Sequence, residues 1–174
     1  MDGENNVMPD RAKGDRMKPD LRQAGKVLAA ACVLAAASGG VSAAEQSVTY
    51  ENTIRKIVAD RCLGCHGANS PSLAEFNKDK KGWAQKFKGP RMDSYANLVV
   101  FVNGSDAGAV MRRLDDGKNT KDGKPGNMYN YLGSTDAERA QRLEQFRKWV
   151  GNWTLKRRKE LTTSELAAIK VPEK

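Results

Sequence analysis

The sequence predicts a small all-α domain that follows a leader, and three observations support this fold class. Apolar residues recur at helical spacing in residues 47–61 and again in residues 143–153. Capping-box sequences at Thr135 and Thr162 mark where two later helices begin. No βαβ pattern is visible. We expect a leader over residues 1–44, a helical domain over residues 45–155, and a basic C-terminal extension over residues 156–174 with a short helix.

The leader has the three parts of a secretory signal peptide. Arg22 and Lys26 form the positive flank, residues 27–37 form a short apolar core, and the small residues of 38–44 form the cleavage region. The apolar run is well short of the roughly 20 residues that span a bilayer, and too little of it precedes Cys32 to favour a lipid anchor there. The positive flank is unusually long when read from Met1, so we predict a true start at Met17 or Met8. Export to the periplasm is expected, without stable membrane insertion after cleavage.

The exported part of the chain is strongly basic. Residues 45–174 carry 24 Lys and Arg against 16 Asp and Glu, a net charge of +8. A basic surface speeds the encounter with acidic partners and makes the rate salt-dependent, although solubility alone explains the charge equally well. Export and the lack of a base-reading motif disfavour nucleic-acid binding.

The segment Cys62-Leu63-Gly64-Cys65-His66 has the haem-attachment pattern C-x-x-C-H. One helical turn can present both sulfurs to the haem edge, where they form thioethers, and His66 then lies under the iron as the proximal ligand. A zinc site would need two more nitrogen or sulfur ligands, but the remaining chain offers only Cys32 and no second histidine. The motif therefore predicts one covalent haem c.

The elements around the motif follow from local patterns. Residues 47–61 are predicted to form a helix that leads into Cys62. After His66 the sequence predicts an irregular loop that contains Pro71. The Pro71 carbonyl is our candidate acceptor for the His66 Nδ1–H. Residues 73–92 predict a short helix and a loop ending at Gly89-Pro90. Trp83 and Arg91 are candidate donors to a haem propionate, with a packed tryptophan and a solvated arginine as the alternatives.

The second half of the chain predicts four further helices. Asp93-Ser94 caps a helix that reaches Val102, although residues 99–102 also fit a buried strand. A short helix over residues 109–114 precedes a lysine-rich and glycine-rich loop over residues 118–127, which lacks the calcium-loop order. Thr135 opens the most regular helix, with apolar residues on one side: Leu143, Phe146, Trp149, Val150 and Trp153. Thr162 opens a tail helix that ends before Pro172.

The second axial ligand of the iron cannot be a histidine, because His66 is the only one in the chain. Met92, Met111 and Met128 compete for the role. Met111 lies in an amphipathic helix, where a core role is usual, and Met92 remains possible. Met128 is favoured because it lies in an irregular loop just before the long C-terminal helix. An open site or an unusual donor such as lysine is the remaining alternative.

Taken together, residues 47–153 resemble a class I (mitochondrial-type) c cytochrome. The resemblance implies a small all-α fold with crossing N- and C-terminal helices, attachment through Cys62 and Cys65, and axial ligation by His66 and Met128. Pro71 lies closer to His66 than the family pattern implies, and the tail and the lysine-rich insert are additional. Five-coordinate four-helix-bundle cytochromes have the motif near the C-terminus. In this chain it lies near the start of the predicted domain, which argues against that class.

His/Met ligation implies electron transfer rather than catalysis, because both axial positions of the iron are filled and thioether sulfur raises the reduction potential. We therefore expect a periplasmic one-electron carrier that docks acidic redox partners through its lysine-bearing surface. A haem subunit of a larger periplasmic oxidoreductase is the main alternative, with the insert and the tail as its interface. An open-site haem that binds a gas or peroxide ranks last, because no distal histidine or other acid–base residue supports it.

Overall fold

The computed structural model describes residues 47–174, so the predicted signal peptide and start site lie outside the described residues. Helices and turns build this part, and its only β contact is an isolated antiparallel bridge between Gly151 and Ile169, which confirms the all-α prediction. None of these helices has the length and apolarity needed to cross a membrane. The α-helices are α1 (Arg55–Arg61), α2 (Leu63–His66), α3 (Leu73–Lys78), α4 (Lys80–Gln85), α5 (Tyr95–Val99), α6 (Ala109–Leu114), α7 (Asp136–Val150) and α8 (Thr163–Ala167).

The N-terminal helix begins with a π-helical turn, Tyr50–Ile54, that continues directly into α1. Thr49 caps it, because its hydroxyl accepts the Asn52 amide at 3.2 Å while the Asn52 side chain accepts the Thr49 amide at 2.9 Å. Tyr50, Ile54 and Val58 are buried on one face. The predicted helix is thus confirmed, with its first turn at Tyr50.

Helix α7 is the longest helix within residues 47–174 and supplies more of the core than any other helix there. Thr135 forms the predicted capping box with Glu138, and four side chains of α7 are at most 2% exposed: Leu143, Phe146, Trp149 and Val150. The helix ends at Val150 because Gly151 adopts φ 74°, a left-handed conformation that glycine tolerates. Trp153 was predicted to continue the apolar face of this helix, which is wrong, since it follows the helix end.

The N- and C-terminal helices pack together, as the resemblance implied. The Tyr50 and Trp149 rings lie 6.5 Å apart, and the Tyr95 ring meets Tyr50 edge-on at 5.5 Å.

Residues 99–102 form no strand, since α5 ends at Val99 and the chain continues in turns that bury Phe101 and Val102. Helix α5 is therefore three residues shorter at its C-terminal end than predicted. The lysine-rich region contains two short helices, α3 and α4, where one was predicted.

The C-terminal extension is an integral part of this core. Leu161, Ile169 and Val171 are buried. The Pro172 carbonyl accepts hydrogen bonds from the Tyr50 amide and from the Trp149 indole, both at 2.9 Å. The tail thus joins the N-terminal helix to α7. The predicted tail helix is present as α8, but residue 155 does not divide the domain from an appendage.

Candidate haem site

The Cys62–His66 segment forms a tight helical turn at the end of α1. The Cys62 amide closes that helix by donating to the Val58 carbonyl at 2.9 Å, and the Cys62 carbonyl then accepts the amides of Cys65 and His66 at 3.1 and 2.9 Å. Cys62 is half-buried, Cys65 is exposed, and both are free thiols. Burial raises the pKa of the Cys62 thiol to about 11. The segment therefore presents two unpaired sulfurs one turn apart, with His66 directly after them.

Pro90, not Pro71, supplies the carbonyl that binds the His66 ring. The His66 Nδ1 lies 2.6 Å from the Pro90 carbonyl oxygen, and a carbonyl can only accept, so Nδ1 carries the proton. Pro71 was the predicted acceptor, which is wrong. A turn in which the Ser70 amide donates to the Gly67 carbonyl carries Pro71 away from the ring, and the Pro71 carbonyl accepts the Arg91 amide at 2.8 Å.

Residues 88–92, which we call the proximal strap, run back along the motif and fix this arrangement. The Lys88 Nζ donates to the Gly64 carbonyl at 3.0 Å, the Gly89 amide to Cys65 at 2.9 Å, and the Met92 amide to His66 at 2.8 Å. A Cβ at Gly89 would lie 2.1 Å from the His66 Cε1. The strap therefore approaches the imidazole more closely than any residue with a side chain would permit.

The His66 ring is prepared to bind a metal. Burial lowers its pKa below the usual value, against the raising effect of the Pro90 hydrogen bond, so the neutral ring is favoured. With Nδ1 protonated, the lone pair is on Nε2, which has no hydrogen-bond partner within residues 47–174. Two free thiols and one oriented imidazole with an available Nε2 are the donor set that covalent haem requires. The residues present fit the group.

The two candidate propionate donors differ in their surroundings. Trp83 is a half-buried residue of α4, with the Lys86 Nζ 4.9 Å from its ring centroid, and its indole N–H has no acceptor in the described part of the chain. The Arg91 Nε is already paired with Asp93 at 2.8 Å, and this pairing raises the pKa of the guanidinium. The propionate role of both residues stays a prediction.

The three candidate methionines occupy different environments. Met111 is fully buried in the core, whereas Met92 and Met128 are half-buried at its margin. Met92 belongs to the proximal strap. Met128 precedes a 3-10 turn, Tyr129–Leu132, and this turn is bound to the end of α1 because the Arg61 Nε donates to the Tyr131 carbonyl at 3.0 Å. The structure therefore brings the Met128 segment next to the residue that precedes Cys62.

Sequence reasoning missed two contributors to the site, Gly89 and Pro90. The sequence pattern predicts this dipeptide only as the end of a loop. Its signal was available, because a glycine followed by a proline combines close backbone approach with a carbonyl next to a rigid ring. What no local pattern shows is that this dipeptide returns to a histidine that precedes it by 24 residues.

Comparisons with known proteins agree with this geometry. A family model described as PccH Cytochrome c matches residues 49–172. The chain is also similar to a solved structure, the monoheme cytochrome PccH from Geobacter sulfurreducens, at 47% identity and a TM-score of 0.68. That match covers 72% of this chain and 98% of the other. No protein with a curated function matches the chain.

The family match includes the motif, the proximal strap and the C-terminal tail, so it covers all the elements that build the site. It confirms the prediction of one covalently bound haem c and of electron transfer as the general activity. The chain belongs to the PccH cytochrome c family and is a monohaem c-type cytochrome.

Proposed function

We propose that this protein is a periplasmic one-electron carrier whose haem iron is bound by His66 and Met128. The observation that carries the proposal is the placement of the methionines, because only Met128 is both accessible and separate from the backbone around His66. The predicted signal peptide supports the periplasmic location, and the basic charge of residues 45–174 supports acidic partners.

A methionine that would hold the iron together with His66 would have to come from a segment other than the one bound to the His66 backbone. The Met92 amide is hydrogen-bonded to the His66 carbonyl at 2.8 Å, so the backbone of Met92 lies on the proximal side. Met111 is 0% exposed and enclosed by core side chains. These contacts commit Met92 to the segment around His66 and Met111 to the core, so neither would be favoured to hold the iron. Met128 is half-buried at the core margin and close to the motif, which favours it as the distal ligand.

The ligands that the chain would offer to the iron, His66 and Met128, affect its reduction potential. When bound, the haem supplies an iron that gains and loses one electron. The Pro90 carbonyl keeps His66 in the Nδ1-protonated tautomer and makes Nε2 more basic, which favours Fe(III). The thioether of Met128 is a neutral, soft donor and favours Fe(II). These two effects would shift the reduction potential in opposite directions.

An exposed surface beside the motif is suited to docking. Phe87 and Tyr131 are the two large apolar side chains that are most exposed within residues 47–174, at 82% and 63%. The residue after Phe87 binds the Gly64 carbonyl, and the Tyr131 carbonyl binds Arg61, so the two aromatics flank the motif. Lysines surround Phe87 in sequence: Lys78, Lys80, Lys81, Lys86 and Lys88. An apolar contact with a basic rim fits an acidic redox partner.

The alternative of a relay subunit in a larger oxidoreductase loses one of its two supports. That hypothesis assigned residues 156–174 to a subunit interface. In the structure, Leu161, Ile169 and Val171 of this tail are buried inside the chain's own domain. The apolar surface of the tail is thus used for folding, which favours the independent carrier.

The test is an absorption spectrum of the holoprotein as wild type, Met128→Ala and Met92→Ala, oxidised and reduced. We expect the wild type and Met92→Ala to show the weak far-red band that is typical of Fe(III)–methionine ligation, and Met128→Ala to lose it. Met92→Ala is the matched control, because both methionines are half-buried. Loss of the band in Met92→Ala alone, or a wild type that lacks the band and binds CO when reduced, would refute the proposed ligation.

A further inference from the structure

Asp115 is the only charged side chain that is fully buried within residues 47–174, and the electron-carrier function described above does not use it. It directly follows α6, and its carboxylate accepts four hydrogen bonds. Oδ1 accepts the Gly117 amide at 2.9 Å and the Asn119 amide at 3.3 Å, while Oδ2 accepts the Asn119 side chain at 2.8 Å and the Trp153 indole at 2.9 Å. A buried carboxylate is tolerated only with such partners.

These partners join two distant parts of the chain. Gly117 and Asn119 begin the lysine-rich loop, whereas Trp153 follows the end of α7. Arg147 of α7 also lies at the junction, since its guanidinium is paired with Asp116 at 2.9 Å and lies 4.0 Å from the Asp115 carboxylate and 5.5 Å from the Trp153 ring centroid. Burial raises the pKa of this carboxyl, but the hydrogen bonds outweigh burial and hold the pKa below its usual value. Asp115 is therefore ionised and binds the loop to the C-terminal helix region.

The other end of the same loop leads to Met128. The Gly126 amide donates to the Asp115 carbonyl at 2.8 Å, and the Met128 amide donates to the Arg113 carbonyl at 2.9 Å. A Cβ at Gly126 would lie 2.4 Å from the Arg113 carbonyl oxygen, so this backbone runs directly against the end of α6. Asp115 thus holds the start of the loop with its side chain and the end of the loop with its backbone.

We propose that Asp115 is a positioning residue for Met128, because it fixes the loop of residues 115–128 and thereby keeps the thioether at the iron. The inference rests on the proposed ligation by Met128. No local sequence pattern indicates this role for Asp115, since neither Trp153 nor Arg147 is near it in the chain. Its role depends on contacts that span 32 and 38 residues.

The test is Asp115→Asn in the holoprotein. Asparagine has the same shape, but whichever way its amide is turned, two of the four donors face an NH₂ group and are left without an acceptor. We expect haem to remain attached and the far-red methionine band of the oxidised protein to be lost or weakened. We also expect a lower reduction potential, and a population of Met128-dissociated reduced protein, measured by CO binding, that rises at least about tenfold. Trp153→Phe removes one donor and should shift the same readouts less.

Leu161→Ala is the control for general destabilisation, because Leu161 is buried in the tail outside residues 115–128. It should lower the melting temperature and leave the band and the potential unchanged. A folded Asp115→Asn protein that keeps the band overturns the inference while the ligation by Met128 stands, and equal loss of the band in Leu161→Ala also overturns it. If Asp115→Asn does not fold, an unchanged band in Trp153→Phe overturns it. A wild type without the band refutes the ligation and the inference with it.

Discussion

At the scale of single residues, the proximal side of the haem site depends on Gly89, because a side chain at this position would collide with the His66 ring. Gly89 lies against the His66 ring, and the adjoining Pro90 carbonyl holds Nδ1 at 2.6 Å. The position of the ring is fixed on this side, because the Pro90 carbonyl holds its Nδ1 and the Gly89 backbone lies against its Cε1. A histidine ligand thus depends on its neighbours as much as on its own nitrogen.

Gly89→Ala tests this dependence. The new methyl group would lie 2.1 Å from Cε1, so the strap or the ring has to shift. We expect the variant to be destabilised by about 1–3 kcal/mol, the usual cost of overpacking, and its reduction potential to change because the Pro90 hydrogen bond is disturbed. Thermal unfolding and a redox titration of the holoprotein measure both effects.

Lys88→Ala is the control for this substitution, since it removes only an exposed hydrogen bond to the Gly64 carbonyl in the same strap. Its stability should stay within about 0.5 kcal/mol of the wild type. A Gly89→Ala protein with wild-type stability and potential would show that the strap is free to move.

At the scale of elements, the tail is attached to the rest of the domain at its helix as well as at its end. Glu165 of α8 closes a capping box with Thr162, whose amide donates to it at 2.9 Å, and it also accepts the Lys156 ammonium. The Asn152 side chain, which follows α7, donates to the Glu165 carbonyl at 2.9 Å. One residue therefore joins the cap of α8 to the segment that follows α7.

This junction predicts a pH dependence. The hydrogen bonds from Lys156 and Thr162 lower the pKa of Glu165 from 4.5 to about 2. Since the folded pKa is lower than the unfolded one, the contribution of Glu165 to stability is complete above about pH 4.3 and is lost as the pH falls toward 2. The stability of wild type should thus exceed that of Glu165→Gln above about pH 4, and the difference should shrink as the pH falls and vanish only near pH 2. An NMR titration of the Glu165 carboxyl gives the pKa directly.

Glu144→Gln is the matched control, because it alters an exposed glutamate on α7 that belongs neither to the cap of α8 nor to an ion pair of the tail. Its acid unfolding curve should follow that of the wild type. A Glu165 carboxyl that titrates near 4.5 would mean that the Lys156 contact does not persist in solution.

At the scale of the whole molecule, the docking surface proposed above lies beside the Cys62–His66 motif. The proposed docking surface combines Phe87 and Tyr131 with the lysines around Phe87, next to the attachment motif. Charge of one sign on such a surface steers a partner of opposite sign over distances comparable to the Debye length. Orientation then depends on the aromatic contacts at the centre.

Electron transfer to an acidic redox protein should therefore slow as salt is added. We expect the bimolecular rate constant, measured by stopped flow with an acidic flavodoxin, to fall steeply as the Debye length shortens from about 30 Å at 0.01 M to about 8 Å at 0.15 M ionic strength. Lys86→Gln should lower the rate at low salt more than Lys159→Gln, which removes an equal charge from the tail. Equal effects of both substitutions would indicate steering by net charge alone and no defined docking surface.

The amino-acid sequence by itself determined the features that depend on local spacing. The C-x-x-C-H motif predicts one covalent haem c, and the family match confirms it. The capping boxes at Thr135 and Thr162 predict the starts of α7 and α8, because a cap involves residues only three positions apart. The signal peptide, the Met128 ligation and the acidic partners stay predictions, although they too were read from local patterns.

Tertiary structure alone decided the features that depend on long-range contact. It selected Pro90 over Pro71 as the partner of His66, placed Trp153 on the Asp115 carboxylate instead of on the face of α7, and buried the tail against Tyr50 and Trp149. Each of these choices brings together residues that are far apart in the chain. Local pattern shows that a residue can donate, accept or pack, but only the folded backbone determines which partner comes within hydrogen-bond distance.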